Sequence, residues 1–161
     1  METNGQYELI DFGDGRKLES LAGFLIDRPS PAAAGIRPVD ARLWRDSSAR
    51  YDLVKKSWQN QSSWPQSLSI DCGGFMMPVH PTPFGHIGLF PEQSDNWTWL
   101  RSLPAGKGDA LAMNLFGYTG ASTLAMSSGG FQVAHVDAAR PNVQACREAA
   151  SFNGWENAKI R

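Results

Sequence analysis

ALAMNLFGYTGASTLAMSSGGFQVAHVD, residues Ala110 to Asp137, decides the fold. Leu111 to Phe116 is a mostly apolar run with one internal polar residue, Asn114, and reads as a strand. Gly117-Tyr118-Thr119-Gly120 breaks it. Ala121 to Ser128 is compatible with a helix, and Gly129-Gly130 stops it. Val133 to Val136 is a second apolar run, with Asp137 at its end. In an open α/β sheet, ligands bind beyond the carboxyl ends of the strands. This order of elements brings a glycine turn and a carboxylate to that edge. Without a Cβ, Gly117 and Gly120 permit unusual dihedrals and close approach of a ligand to the backbone. The helix start after Gly120 offers free N–H groups to an anion. An ionised Asp137 can accept from two vicinal ribose hydroxyls. Its distance from the turn fits the acidic residue found about 20 residues on in nucleotide-binding βαβ units. A plain βαβ connection with a capping Asp explains the same pattern equally well.

The rest of the chain bounds the answer. Its 161 residues suffice for one domain with a core, or for one and a half small ones. A net charge of −1 gives no overall basic field for nucleic acid. Sixteen glycines and ten prolines favour turns over long helices. Cys72 and Cys146 match no metal or redox spacing and read as reduced thiols of a cytosolic protein. METNGQYELIDFGDG at the start has neither the basic nor the apolar region of a signal peptide. No apolar run approaches the roughly 20 residues of a membrane span, so a cytoplasmic location is expected.

Tyr7 to Phe12, Lys17 to Leu21 and Gly23 to Ile26 read as short strands with tight turns, closed by Asp27-Arg28-Pro29. Asp40 to Arg45 and Ser48 to Lys56 read as short helices. Ser67 to Ile70 and Phe75 to His80 read as a hairpin around Asp71-Cys72-Gly73-Gly74. Trp44, Trp58, Trp64, Trp97 and Trp99 all precede residue 100, which suggests a small strand-rich module with an aromatic core. A base-stacking surface is the rival explanation, but it lacks interleaved basic residues. Pro81 to Gln93 is a shaped, extended segment. Ser94-Asp95 caps a predicted helix from Asn96 to Leu103, with Trp97 and Leu100 on one face. After Asp137, Pro141 sits in a first helical turn. Val143, Cys146, Ala149 and Ala150 then recur at helical spacing until Asn153-Gly154, and Lys159-Ile160-Arg161 begins a third strand. The predicted division is a strand-rich module over 1–91 and a partial Rossmann-like domain over 92–161.

Chemistry-bearing patterns are sparse. His80, His86 and His135 lack ligand spacing with a Cys or carboxylate, which argues against zinc. His135 reads as a packed or edge residue. Ser122, Thr123, Ser127 and Ser128 form no nucleophile elbow. No Gly-Lys-Ser/Thr follows the glycine turn, and the Gly-x-Gly-x-x-Gly fingerprint is absent, which disfavours a P-loop and a nicotinamide or flavin site. Glu92 and Gln93 read equally as ligand contacts or as solvated helix-start residues.

NLFGYTGAST (Asn114 to Thr123), HVDAA (His135 to Ala139) and the Asn-Gly after the following helix resemble the cofactor half of class I S-adenosylmethionine-dependent methyltransferases. More narrowly, the chain is similar to the branch containing bacterial large-subunit ribosomal RNA methyltransferases. TPFGHIGLFPEQ (Thr82 to Gln93) with Asn96-Trp97, GDGRKLE (Gly13 to Glu19) and IDRP (Ile26 to Pro29) carry that narrower likeness, which is thin over Ala32 to Ser69. The resemblance implies an α/β fold: the strand-rich module, then the first half of a Rossmann-like sheet. It implies S-adenosyl-L-methionine as cofactor. Gly117, Tyr118, Thr119 and Gly120 would wrap its methionine end, with Asn114 and Phe116 of the same motif beside them. Asp137 would hold the ribose, and Gln93 with Phe90 would line the entrance. RNA is the implied substrate. Members of the branch continue with further strands and an Asp-Pro-Pro-type motif at the target base. None of these occurs within residues 1–161, so the sequence reads as the N-terminal part of such an enzyme. A non-catalytic cofactor- or RNA-binding fragment is the alternative.

Overall fold

The computed structural model describes residues 3–60, 63–106 and 110–155. Two compact units emerge: 1–70 with 79–88, and 71–78 with 89–161. The contiguous division at 91/92 therefore differs from the one observed, because the turn after Ile70 belongs to the second unit and Val79–Gly88 to the first.

In the first unit, β1 (Thr3–Gly5) runs parallel to β7 (Leu68–Asp71), pairing over Leu68 to Ile70. A five-stranded sheet holds β2 (Tyr7–Gly13), β3 (Arg16–Leu21), β4 (Phe24–Pro29), β5 (Ala49–Asp52) and β6 (Ser57–Gln59), in that order. Strands β2, β3 and β4 are antiparallel neighbours, joined by tight turns as expected. Asp14-Gly15 and Ala22-Gly23 turn the two hairpins with all four φ values positive, the twist that suits a two-residue loop.

The predicted helix over Ser48 to Lys56 is instead the hairpin β5–β6. Asp52 accepts from the Val54 and Lys55 N–H groups, both at 2.9 Å, and Lys56 takes φ +50°. This Asx turn reverses the chain, and the Tyr51 and Trp58 rings meet edge to face at 5.4 Å across the two strands. Trp58 continues to Trp64 at 5.5 Å, and Trp64 to Phe24 at 5.1 Å. The aromatic core expected of this module is that string of rings. The predicted helix from Asp40 to Arg45 shrinks to a 3-10 turn over Leu43–Asp46.

The second unit holds β8 (Met76–Pro78), α1 (Ser94–Ser102), β9 (Leu111–Leu115), α2 (Ala121–Ser128), β10 (Gln132–Val136) and α3 (Arg140–Phe152). Ser94 lies inside α1 rather than capping it, because the 3-10 turn Pro91–Gln93 leads straight into the helix. Pro141 sits in the first turn of α3, and Cys146, Ala149 and Ala150 are its buried face. Asn153 ends the helix and bonds the Met76 backbone both ways: it accepts from N–H at 2.7 Å and donates to the carbonyl at 2.8 Å. The third strand predicted at Lys159–Arg161 lies outside the described residues.

Strands β9 and β10 pair in parallel, from Leu111 opposite Gln132 to Leu115 opposite Val136. With α2 and α3 they form the opening βαβα of a Rossmann-like sheet. One face of β9 carries Leu111, Met113 and Leu115, all exposed, and Val136 continues it on β10. Parallel strands are ordinarily covered on both faces. The 161-residue chain by itself is therefore expected to self-associate through this apolar face. Light scattering across a concentration series checks this; a monomer at the highest concentration would contradict it.

Candidate functional site

The turn after β9 is held in an uncommon backbone shape. Phe116, Tyr118 and Gly120 have φ of +56°, +52° and +101°. Two of these carry side chains, and each such residue costs on the order of 1 kcal/mol. Three hydrogen bonds hold the shape. Gly117 donates to the Val136 carbonyl at 3.0 Å, Gly120 to the Gly117 carbonyl at 3.1 Å, and the Tyr118 N–H to Asp137 Oδ2 at 2.9 Å. Both glycines are required by space as well as by dihedral. A Cβ on Gly117 would run into the His135 ring, and one on Gly120 into the Cys146 sulfur.

A cavity of about 180 Å³ opens beside this turn. The turn supplies Phe116, Gly117, Tyr118 and Thr119; Asn114 comes from β9, and Ala121 and Ser122 from the start of α2. Leu89, Phe90, Gln93 and Trp97 close the other side. The Phe90 and Tyr118 rings meet at 5.1 Å, tilted by 41°. Ligand clefts usually measure about 300–1,000 Å³, so this cavity suits one arm of a nucleotide-sized ligand. None of its lining residues is a carboxylate, an amine or an imidazole. It can bind and orient, and it brings no strong proton-transfer group of its own.

Seven of the residues selected from sequence thus surround one cavity: Phe90, Gln93, Asn114, Phe116, Gly117, Tyr118 and Thr119. Gly120 and Asp137 do not line it. Gly120 is the buried pivot between the turn and α2. Asp137 ties the turn to the start of α3: Oδ1 accepts from the Ala139 N–H at 2.8 Å and from Asn142 Nδ2 at 3.0 Å. The Ala139 N–H bond is the main cause holding the Asp137 carboxyl below the usual carboxylate range. Desolvation opposes it, and Tyr118, Asn142 and His135 reinforce it. Leu89, Trp97, Ala121 and Ser122 were not singled out as site residues from sequence. Only the helical spacing of Trp97 and the small polar start of α2 hinted at them.

A second concavity, about 230 Å³, lies in the first unit beside Arg16, Arg50, Tyr51 and Gln59. Arg16 and Arg50 are already engaged by Asp27, at 2.6 and 3.2 Å. Burial pushes the Cys72 thiol up to about 12 and the Cys146 thiol to about 11, so neither is a nucleophile at neutral pH. Among the described residues no cluster of three or more His, Cys, Asp or Glu side chains could hold a metal ion, and no helix is long and apolar enough to cross a membrane.

A glycine turn beyond a parallel strand, with a carboxylate after the next strand, defines a Rossmann-like α/β fold. Comparison with solved structures narrows it to a methyltransferase-like one. The SAM-dependent methyltransferase of Agrobacterium tumefaciens is 31% identical, with a TM-score of 0.88 over 98% of this chain and 51% of that one. A protein of Streptococcus mutans assigned as a SAM-dependent methyltransferase is 17% identical, with a TM-score of 0.71 over 97% and 45%. SMU.776, assigned as a methyltransferase and solved with SAH, is 17% identical, with a TM-score of 0.70 over 96% and 44%. The chain spans about half the length of the structures it matches. No family model and no curated protein matches it.

Proposed function

We propose that this chain carries the methionine- and ribose-binding part of an S-adenosylmethionine-dependent methyltransferase, with an RNA base as the methyl acceptor. The observation that carries the reading is the cavity at the carboxyl end of β9, bounded by the strained Phe116–Gly120 turn, in a fold shared at 31% identity with a SAM-dependent methyltransferase. The lining chemistry fits the cofactor. Phe90, Tyr118 and Trp97 present aromatic surface to a sulfonium, which such rings attract. Asn114, Gln93 and the turn backbone offer polar contacts to an amino acid head group. The cofactor supplies an electrophilic methyl group. The chain's own residues bind and orient, so proximity is their contribution to rate. RNA as acceptor rests on the sequence likeness of Thr82–Gln93 and Asn114–Thr123.

A second reading is binding without catalysis, favoured by a cavity lined by no carboxylate, amine or imidazole. Calorimetry with S-adenosylhomocysteine and with NAD tests the cofactor assignment. Binding of the first and not the second is expected, and binding of neither would sink it. Methyl transfer to RNA by the full-length protein separates the two readings.

A further inference from the structure

Behind the turn lies a group that the proposed cofactor contacts leave unused. His135 is buried on β10, facing α2. Its Nδ1 lies 2.8 Å from Thr123 Oγ1, and Asn114 Nδ2 donates to that same oxygen at 2.9 Å. The ring also fills the space where a side chain on Gly117 would stand. Asn114 and Gly117 both line the cavity. One imidazole therefore touches strand, turn and helix of the site without entering it.

The charge state of the ring follows from the donor inventory. A threonine hydroxyl has one proton and can also accept. Asn114 donates to Oγ1, which keeps a second lone pair and its own proton, so either the hydroxyl donates to His135 Nδ1 or Nδ1–H donates to the hydroxyl. Nε2 is buried with no hydrogen-bond partner among the described residues, so an uncharged ring, in either tautomer, is the form that fits the site. Protonating the ring would put N–H groups on both nitrogens, Nε2 without an acceptor, and place a charge against Gly117.

We propose that neutral His135 is the positioning residue of the ligand-binding turn, setting the backbone of Gly117 and Tyr118 through ring contact and the Thr123–Asn114 relay. Burial pushes the imidazole below its ordinary pKa, against the pull of the Asp137 charge and the Tyr118 backbone. The groups facing the ring are few. β9 and α2 bring no ionisable side chain to it. Asp137 stays anionic across the neutral range, and Cys146, next to Thr123, stays a thiol. His135 is thus the group whose titration reaches the turn.

The inference rests on the proposed cofactor site for its ligand readout, but not for its structural one. Amide spectra of the full chain, followed from about pH 8 to about pH 5.5, should show Gly117 and Tyr118 shifting with one midpoint, shared with the His135 ring and below 6.5. His135→Asn should abolish that shift. Affinity for S-adenosylhomocysteine should fall by up to about fivefold over the same range in the native chain, the effect of a one-unit lowering of the His135 pKa on binding. It should be flat with pH in His135→Asn. Turn amides that do not move, or that keep their midpoint in His135→Asn, would overturn the assignment. If His135→Asn does not fold, the ring's own nitrogen shifts in the native chain decide: a neutral ring at neutral pH supports it, an imidazolium there overturns it. No binding by the native chain at any pH would sink the cofactor reading and leave the turn titration still readable.

Discussion

Glu19→Ala is expected to destabilise the first unit by about 3–5 kcal/mol, seen as a lowered urea midpoint. Glu19 lies on β3 with no solvent exposure, opposite Ile26 of β4 and Leu9 of β2. Its carboxylate takes a bidentate bond from Arg28, with Nη2 at 2.9 Å, and is also reached by Tyr7 Oη at 3.0 Å and Lys17 Nζ at 2.9 Å. Arg28 is itself 4% exposed. Truncating Glu19 strands that guanidinium in the sheet with no counter-charge, and the desolvation cost of the orphan sets the size of the effect. Replacing both partners by leucine should recover much of the loss, since the penalty lies in breaking the pair rather than in lacking it. A change below about 1 kcal/mol for Glu19→Ala would refute this account, because that is the range of a surface pair.

The same group sets an acid limit. Burial alone would raise the Glu19 carboxyl, but the Arg28 bonds and the nearby Lys17 outweigh it, and the folded-state value lies below the ordinary 4.5. The carboxylate therefore contributes fully above that value. As pH falls through it, the unfolded chain takes up a proton first, and stability drops until the folded-state pKa is passed. The sequence shows why this cluster escaped notice. Nothing in the local order of Arg16, Lys17, Glu19, Asp27 and Arg28 marks any of them for burial, yet the structure buries three, Glu19, Asp27 and Arg28.

Local punctuation was the legible part of this chain. Ala121 and Ser128 bound α2 as read, because Gly120 and Gly129-Gly130 are chemical stops on either side. Tight turns at Asp14-Gly15 and Ala22-Gly23 marked off β2 to β4 for the same kind of reason. Where partners are distant, spacing failed. Ser48 to Lys56 looked helical because Tyr51 and Val54, with Trp58 beyond, fall at helical spacing, and the cross-strand meeting of Tyr51 with Trp58 overrides that pattern. Residues 71–78 join the second unit through Asn153, 77 positions on from Met76, which no local rule could detect. In the site, the motif residues of the turn could be chosen from their order. The partnership of His135 with Thr123 and Gly117 spans three elements, and no local spacing joins them.

Asp137→Ala should weaken S-adenosylhomocysteine binding by about a hundredfold or more, near 2.7 kcal/mol. The physical reason differs from the one the sequence suggests. A carboxylate offers about four lone-pair sites. Three are occupied here by the Tyr118 N–H, the Ala139 N–H and Asn142. Room remains for one further donor, on Oδ2, and a second ribose hydroxyl would have to displace the Asn142 amide from Oδ1. Loss of the carboxylate instead releases the Tyr118 N–H, and with it a turn whose φ values at Phe116 and Tyr118 are already unfavourable. The asparagine variant separates the two roles. An acceptor serving ribose alone would be half preserved in Asp137→Asn. A carboxylate serving two backbone N–H groups would not, because either orientation of the amide sets its NH2 against Tyr118 or Ala139, at about 1–3 kcal/mol for the unmatched donor. Calorimetry is therefore expected to find Asp137→Asn at least about tenfold weaker than the native chain. Near-native affinity in Asp137→Asn would restore the simple ribose role, and near-native affinity in Asp137→Ala would remove Asp137 from the site altogether.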